Sequence, residues 1–594
     1  MASLATRAED VRWNLAELAA DADEAQAQIA ELAGRAAAFG ERYRGQVAEL
    51  DADGLRALLD ELDELQQDQS RLEVYVSSRV NLAATDPEAN DLATFARDRS
   101  AEIENSLVFF GLEWLAIDDD AAEALLSSPQ LAPYAHKLRV AREEKPYVLD
   151  EAEEQALNAR RPAVTAWQAL HDRHVSTIEV PFDAGEGEEP HNVSRLLSYL
   201  HRPERELRLR ALAALYEGLE PRADVLAACY DALVGDRLGV DRLRGFADPM
   251  QPTNMSNELD GETVAAMMTA TEESYGIARR WFETKAGLLG LDRLELADQY
   301  APVREARAFP WPGAVEIVDA SLTSFSPRLG EIFRTCLEAA HVDAAPRTGK
   351  AGGAYCTGVS KQVLPYVLLN FTEQFRDVTT LAHEFGHATH GALALERQTF
   401  QSYRTGLALA EVPSTLSELL AHDHLLESEP DAQTRAALAA DRVEGAFAAI
   451  FRQVVLARFE QRAYALRAEG RALTVERLSE LWLEENLRYY GDSVALPDGY
   501  RLGWSYIPHF IHTRFYTYAY SFAQLVALLL HGRYRADSEA FVPRYLELLA
   551  AGGSASPAAL LEPFGLDLRA ADTWRAGFAE LESQLDEAET LTKP

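Results

Sequence analysis

The sequence predicts a mainly α-helical protein with one small β-sheet, and three observations lead to this prediction. Apolar residues recur at three- and four-residue steps along most of the 594-residue chain, which is the spacing of one helix face. Alanine and other strong helix formers fill these stretches. One short segment, QVLPYVLLNFT (362–372), instead has the apolar and β-branched character of a strand.

The first half of the chain is predicted to be helical. A long amphipathic helix is expected over residues 10–43, and similar patterns fill about 54–175. Proline-containing stretches at TDPE (85–88) and LSSPQLAPY (126–134) predict breaks between helices. The acidic, glycine-rich stretch VPFDAGEGEEPHN (180–192) predicts a loop. We therefore place a domain boundary close to this loop.

The boundary divides the chain into an N-terminal helical domain, residues 1–190, and a second domain, residues 191–594. Helical patterns resume in the second domain at RPERELRLRALAALYEGL (202–219). Because proline cannot donate to a sheet ladder, Pro365 predicts that the 362–372 strand lies at a sheet edge. Long helices are expected from about residue 374 to the C-terminus, so the strand would lie beside a helix.

Composition narrows the classes of partner. The formal net charge of −38 repels nucleic acid and anionic membrane surfaces, so we expect neither as a partner. No run of 18 or more apolar residues is present, so we expect no transmembrane helix. The N-terminal segment has acidic residues where a signal peptide needs an apolar run, so we expect no signal peptide there. Three widely separated cysteines form neither a zinc knuckle nor a disulfide framework, which favours the cytoplasm. The sequence does not define an oligomeric state.

The segment TTLAHEFGHATHGA (379–392) carries the strongest functional signal. Successive helix residues are about 100° apart, so His383 and His387 project side by side, one turn apart. Both imidazoles can then reach one zinc ion at about 2 Å. Glu384 lies one position round the helix, where its carboxylate can reach a metal-bound water without being a ligand. This pattern predicts a catalytic metal site.

A catalytic zinc needs a third protein ligand. His390 does not fit the extended zinc-binding pattern, which requires glycine at this position and histidine three residues later. The stretch LALAEVPSTLSELLAHDH (407–424) offers Glu411 and Glu418, seven residues apart on one helix face. Pro413 suggests that this helix begins there. Spacing alone leaves both glutamates open as the ligand, the other being free to orient a ligand histidine.

Three motifs together resemble the thimet oligopeptidase and oligoendopeptidase F family of zinc metallopeptidases, and are closer to the oligoendopeptidase F branch. They are HEFGHATHG (383–391), LAEVPSTLSELL (409–420) and IPHFIHTRFYTYAY (507–520). The stretches KAGGAYC (350–356) and FRQVVLARFE (451–460) also match. The resemblance implies two helical halves that flank a deep substrate channel. It also implies one Zn²⁺ per chain and cleavage of internal bonds in short, unstructured peptides.

The resemblance also assigns roles to individual residues. Glu411 becomes the third zinc ligand, and Glu418 supports a ligand histidine. Glu384 takes a proton from the attacking water and passes it to the departing amine. His509, Tyr518 and Tyr516 are the implied donors to the developing oxyanion. The strand that contains Pro365 is expected to pair with the substrate backbone, and the glycine-rich turn at 350–358 to close over the peptide.

Two alternatives stay open. A zinc carboxypeptidase or dipeptidyl carboxypeptidase of related helical fold would need a cation to hold the terminal carboxylate, and Arg404, Arg501 and Arg514 are candidates. The remote alternative is an inactive, acidic helical binding scaffold. The presence of Glu384 argues against a scaffold, because such a protein has no need for a general base.

Overall fold

The computed structural model describes residues 7–185, 187–304 and 307–593. Helices account for 73% of the residues and strands for 3%, which confirms the mainly α-helical prediction with small sheets. Glu186, which belongs to the predicted loop, and the N-terminal residues 1–6 lie outside the described residues. No helix among the described residues is long and apolar enough to cross a membrane.

The α-helices follow in chain order. They are α1 Ala22–Tyr43, α2 Ala52–Leu82, α3 Pro87–Leu107, α4 Phe109–Ala116, α5 Asp119–Leu126, α6 Ala132–Glu143, α7 Glu151–Ser176, α8 Val193–Ser198, α9 Arg205–Leu219, α10 Ala223–Arg244, α11 Gln251–Ser256, α12 Gly261–Glu273, α13 Tyr275–Leu288, α14 Trp311–Phe325, α15 Pro327–Glu338, α16 Phe375–Arg397, α17 Phe400–Tyr403, α18 Leu407–Ser428, α19 Ala432–Ala468, α20 Val475–Tyr490, α21 Pro508–His512, α22 Tyr518–Ala536, α23 Ser538–Ala551, α24 Pro557–Leu561 and α25 Ala571–Thr592. Both predicted helix breaks are confirmed, because α2 and α5 end just before them.

The strands are short and form three sheets. They are β1 Val180–Asp183, β2 Glu188–His191, β3 Leu294–Glu295, β4 Val342–Asp343, β5 Tyr355–Thr357, β6 Tyr366–Leu368 and β7 Val494–Ala495. β1 pairs antiparallel with β2, and β3 pairs parallel with β7. The third sheet has the order β4-β6-β5 and contacts helix α16.

The chain divides into two compact units, each built from three segments. The first contains the described residues of Met1–Lys145, Arg307–Ser428 and Leu530–Leu566. The second contains those of Pro146–Ala306, Glu429–Leu529 and Asp567–Pro594. These units differ from the two domains predicted from sequence, since the boundary near residue 190 falls inside a segment of the second unit. The 1–190 and 191–594 division, and the substrate channel, stay predictions.

The first predicted helix begins later than expected. Helix α1 starts at Ala22, where the Asp21 side chain accepts a hydrogen bond from the Glu24 amide. The preceding segment is not α-helical, because Trp13 is buried against the β4-β6-β5 sheet. Its indole N–H donates to the carbonyls of His341 and Val367, at 3.0 and 2.9 Å. A long-range contact therefore overrides the local helical pattern in this segment.

The prediction that the strand after Pro365 is an edge strand is wrong. β6 is the middle strand of its sheet, parallel to β4 and antiparallel to β5. Pro365 lies one residue before the strand, so its missing N–H removes no ladder bond. The free edge of this sheet that lies against α16 belongs to β5, where Tyr355 pairs with Leu368 and Thr357 with Tyr366.

The predicted loop at 180–192 is also more ordered than expected. Its flanks form the antiparallel pair β1 and β2, with Val180 opposite His191. Phe182 and His191 are buried, and their rings lie 5.5 Å apart. The turn residue Gly185 has φ of 112°, a conformation that favours glycine. The acidic composition therefore marks a hairpin tip rather than an open loop.

Candidate metal centre

Helix α16 presents the two histidines of the motif from a buried position in the first unit. The Asp377 carboxylate accepts a hydrogen bond from the Gln374 amide at 3.0 Å, which caps the first turn. Leu381 and Phe385 are fully buried, and the Phe385 ring packs on Phe333 at 4.4 Å between centroids. The predicted start of this helix near residue 374 is confirmed.

His383 and His387 share one face of α16, as the spacing predicts. Their ring centroids lie 4.9 Å apart, and their side chains are 27% and 23% exposed. Both side chains are thus open to a ligand from the adjoining cavity, while the helix that carries them is held by its buried face.

Helix α18 carries both candidate glutamates, and it begins earlier than predicted. The helix starts at Leu407, so Pro413 lies inside it rather than at its first turn. An internal proline removes one helical hydrogen bond. The buried residues Val412 and Leu416 on either side of Pro413 keep this segment helical through packing.

The two helices meet closely at Gly386. A Cβ atom added there would lie 2.4 Å from Ser414 Cα and 2.5 Å from the Pro413 carbonyl oxygen. Real Cβ atoms do not approach backbone so closely, so glycine is required at this crossing. Its absent side chain allows α18 to bring Glu411 to the histidines.

We predict that Gly386→Ala destabilises the protein by about 1–3 kcal/mol, the usual cost of overpacking a core contact. It should also weaken metal binding, because α18 must move away from α16. Urea unfolding of the metal-free protein and titration with Zn²⁺ measure the two effects. Gly391→Ala on the same helix is the matched control for stability, since its Cβ would meet only Pro365 Cγ at 3.7 Å. Equal stability of the two variants would contradict the crossing-point argument.

Three ligand-type atoms form a triangle at this crossing. Glu411 Oε2 lies 3.4 Å from His383 Nε2 and 3.4 Å from His387 Nε2. Among the described residues, these three side chains form the group that has the spacing to hold a metal ion. A tetrahedral ion with bonds of about 2 Å separates its ligands by about 3.3 Å. The donor set therefore fits a zinc ion.

Glu418 occupies a different position from Glu411. Its Oε1 forms a short hydrogen bond with His383 Nδ1, the ring nitrogen that faces away from Glu411. This bond holds Nδ1 as the donor and leaves Nε2 as the lone-pair nitrogen. The Ser414 hydroxyl donates to Glu411 Oε2 at 3.1 Å and steadies that carboxylate. The geometry thus distinguishes the two glutamates that the spacing left open: Glu411 faces both Nε2 atoms, and Glu418 faces His383 Nδ1.

The electrostatics of the triangle favour positive charge between the three groups. Burial alone would lower the pKa of His383, but hydrogen bonds with Glu411 and Glu418 outweigh it and raise the pKa well above its usual value. Burial alone would raise the pKa of Glu411, but hydrogen bonds from His383 and His387 lower it far below the usual range. A metal cation would supply this positive charge in place of a proton.

Glu384 lines the same cavity, and within the described part of the chain its Oε2 has no hydrogen-bond partner. The residue is 4% exposed, and its Oε2 is buried. Burial raises the pKa of Glu384, while the neighbouring His383 and His387 oppose the shift. The cavity has a volume of about 450 Å³ and is lined by both histidines, Glu384 and Glu411. A buried, unpartnered carboxylate at this place is suited to proton transfer.

The cavity also contains residues that the sequence did not predict as site residues. They are Tyr355, Cys356, His390, Tyr403 and Arg404. Burial is the main cause that lowers the pKa of His390 to about 4, so its imidazole is neutral. Arg404 was considered only as a carboxylate anchor, and the turn at 350–358, which contains Tyr355 and Cys356, was expected only to close over the bound peptide. Neither spacing nor periodicity relates these segments to α16.

The predicted oxyanion donors belong to the second unit. His509 stacks on Tyr516 with ring centroids 5.4 Å apart, and both side chains are partly exposed. Tyr518 is fully buried, and its phenol oxygen accepts a hydrogen bond from Asn257 Nδ2 at 3.2 Å. Burial raises the pKa of Tyr518 above its usual value. The donor roles of the three residues stay predictions, and exposure favours Tyr516 over Tyr518.

Comparison with known proteins gives the same class as the fold and the donor set. The sequence profile of Peptidase family M3 matches residues 198–580, and a profile described as Oligopeptidase F matches residues 113–179. The chain therefore belongs to Peptidase family M3. It is a metalloendopeptidase of the oligopeptidase type, which confirms the sequence-based prediction.

Individual relatives are similar over nearly the whole chain. Oligopeptidase PepF of Bacillus subtilis is 26% identical over 557 residues, which is 93% of this chain and 82% of the relative. An oligoendopeptidase F homologue of Lactococcus lactis is 25% identical over 594 residues, covering 98% of each chain. The solved structure of oligoendopeptidase-F from Enterococcus faecium has a TM-score of 0.70 at 20% identity and covers 96% and 98% of the two chains. A structure from Chlamydophila abortus has a TM-score of 0.86 at 22% identity, with 98% of each chain covered.

Proposed function

We propose that the protein is a zinc-dependent oligopeptidase that hydrolyses internal bonds of short, unstructured peptides. In this proposal His383, His387 and Glu411 hold one Zn²⁺ per chain. The observation that carries the proposal is the triangle of two Nε2 atoms and one carboxylate oxygen, with 3.4 Å from the carboxylate to each nitrogen. Two imidazoles and one carboxylate are a known catalytic donor set for zinc.

The chain's own residues divide the chemistry of hydrolysis. When bound, zinc would lower the pKa of water to about 7 and polarise the peptide carbonyl. Glu384, buried and without a protein partner, takes the proton of the attacking water and gives it to the departing amine. Glu418 keeps the proton of His383 on Nδ1, so that Nε2 stays available as a ligand atom.

We further propose that the substrate backbone pairs with β5 rather than with the central strand β6. β5 lies at the edge of its sheet, and its residues Tyr355 and Cys356 line the cavity that contains His383. An edge strand offers unpaired backbone N–H and C=O groups to an extended peptide. This role moves the predicted substrate strand from residues 362–372 to residues 355–357.

The carboxypeptidase alternative depends on a cation without a carboxylate partner. Arg514 forms a bidentate ion pair with Asp241 at 2.6 and 2.8 Å, and Arg501 forms one with Glu220. Arg404 lines the metal cavity, and its Nε donates to the Tyr403 hydroxyl at 2.7 Å. If cleavage were restricted to the C-terminal end, Arg404 would therefore be the anchor to test.

Mass spectrometry of the products from a mixed pool of peptides tests the proposal. Half of the pool carries a C-terminal amide, and each half is digested with and without a chelator. We expect internal cleavage in both halves, loss of activity with the chelator, and recovery on addition of Zn²⁺. Products confined to the free-acid half would favour the carboxypeptidase, and the absence of products would support the inactive scaffold.

We also propose a cytoplasmic location, with short peptides as substrates and neither nucleic acid nor a membrane as a partner. The three cysteines of the sequence are free thiols, which suits a reducing compartment. The net charge of −38 disfavours polyanions.

A further inference from the structure

The second unit contains a cavity of about 540 Å³ whose lining includes none of the residues of the candidate metal centre. Helix α7, the start of α8, helix α19 and the segment 506–509 contribute its walls. The apolar part of its lining includes Val175, Leu197, Leu456 and Ile507. The volume lies within the usual range of about 300–1,000 Å³ for sites that hold small ligands.

Arg452 of α19 places a positive charge in the wall of this cavity. Its guanidinium lies close to Tyr500 and Tyr506; burial opposes its charge, and the neighbouring groups that act on it most are tyrosines. Within the described ranges of the chain, no carboxylate forms an ion pair with Arg452. Arg452 is partly buried, and an arginine that is largely removed from water is usually paired with an anion. The cavity therefore presents a cation whose counter-charge the protein does not supply.

The tyrosines do not neutralise this cation. Burial raises the pKa of both Tyr500 and Tyr506, so their phenols stay protonated. The Tyr500 hydroxyl donates to Asn486 Oδ1 at 2.7 Å, which leaves its oxygen to accept from the guanidinium. A guanidinium has five N–H donors, so two phenol oxygens leave donors available to a ligand in the cavity.

Other polar groups of the cavity point to the rest of the ligand. Gln453 also lines the cavity, and its buried Oε1 has no hydrogen-bond partner, whereas its Nε2 donates to the Ala448 carbonyl at 3.2 Å. Asp172 is acidic, but its Oδ1 lies 3.1 Å from His512 Nε2 and 3.4 Å from His171 Nδ1. The cavity thus offers a free cation beside a lone acceptor for an N–H group.

We infer that this cavity binds a carboxylate of a peptide. Arg452 pairs with the carboxylate, and Gln453 Oε1 accepts a peptide N–H. The apolar part of the lining contacts a hydrophobic side chain of the peptide. The carboxylate comes either from the peptide's C-terminus or from an aspartate or glutamate side chain. The identity of the ligand as a peptide rests on the proposed function, and His509, predicted to act on bound substrate, lines the same cavity.

Binding of small peptides to the intact, metal-loaded protein tests this inference, because the measured quantity is affinity and not cleavage. Calorimetry compares N-acetyl-Leu-Leu as the free acid with its C-terminal amide, and N-acetyl-Leu-Glu amide with N-acetyl-Leu-Gln amide. Mass spectrometry after each titration establishes that the ligands are intact. We expect one acidic member to bind at least about tenfold more tightly than its neutral partner, since hydrogen bonds between charged groups are the stronger class. The pair that shows the difference identifies the source of the carboxylate.

Two matched variants assign the preference to Arg452. Arg452→Gln removes the charge and should abolish the difference between acid and neutral ligand. Arg501→Gln is the control, because Arg501 lies in the same unit with its charge paired to Glu220, and it should keep the difference. Arg452→Lys, which retains the charge, should keep part of the preference, and it replaces Arg452→Gln if circular dichroism shows that the latter is unfolded.

Equal binding of acid and neutral ligands by the wild-type protein would overturn the inference. A preference that persists in Arg452→Gln would also overturn it. The peptidase proposal fails on a different observation, the absence of metal-dependent cleavage of amidated peptides. If the protein bound the acidic ligand more tightly but cleaved no peptide, the binding-site inference would stand and the proposed hydrolysis would be wrong.

Discussion

Glu384→Gln is expected to lower kcat by about 10²–10⁴-fold, the usual contribution of a general acid–base group. Glutamine keeps the shape of the side chain but can neither accept the proton of the attacking water nor return it to the amine. Glu384 is 4% exposed and its Oε2 has no hydrogen-bond partner among the described residues, so the substitution breaks no hydrogen bond of that oxygen. The metal content of the variant should therefore equal that of the wild type.

The control is Glu396→Gln on the same helix, where the glutamate is exposed and pairs with Arg328. It should have wild-type turnover, because it lies outside the cavity. Cleavage of a quenched fluorescent peptide gives kcat, and elemental analysis gives the metal content. Normal turnover in Glu384→Gln would exclude this residue as the base, whereas a loss of metal would place it among the ligands.

The histidine pair could be predicted from sequence because helix periodicity fixes it locally. Residues four apart on a helix face the same side whatever surrounds them, and His383 and His387 do so. Gly386 could also be predicted to lie at a close approach, since glycine in a buried helix needs such a reason. The small side chains of Ala410, Ser414 and Thr415 on α18 could be predicted to favour a close helix crossing for the same reason, because they leave room for α16.

The predictions that failed depended on contacts distant in sequence. Trp13 bonds to carbonyls more than 300 residues away, so no local pattern could place the start of α1. The apolar, β-branched character of residues 362–372 correctly predicted a strand, but Pro365 predicted the wrong position in the sheet, because β4 and β5 pair with that strand on either side. Pro413 suggested a helix start, but packing of its buried neighbours extends α18 back to Leu407.

The choice between Glu411 and Glu418 shows where spacing stops being informative. Seven residues apart on one helix, the two carboxylates are equivalent by periodicity. They differ in which histidine nitrogens each one meets, and that depends on the crossing of α16 and α18. The structure places Glu411 near both Nε2 atoms and Glu418 on His383 Nδ1.

This difference gives the second large expected effect, on metal affinity. Glu411→Ala removes one of the three proposed ligands, so we expect zinc affinity to fall by more than the roughly 10–100-fold that is typical for loss of a partner that orients a ligand. Glu418→Ala leaves the three ligand atoms in place and should fall within that range. Competition with a chromophoric chelator measures both affinities on the folded variants.

Activity at saturating zinc separates the two roles further. Glu418→Ala should recover turnover when zinc is in excess, because His383 Nε2 can still bind once the ring is correctly turned. Glu411→Ala should not recover, since two histidines alone leave the ion without its carboxylate ligand. If Glu418→Ala were the variant that lost zinc, Glu418 would be the ligand, and the triangle formed by Glu411 and the two histidines would not be the metal site. The comparison thus tests the metal centre itself, because each outcome follows from which ring nitrogen faces the ion.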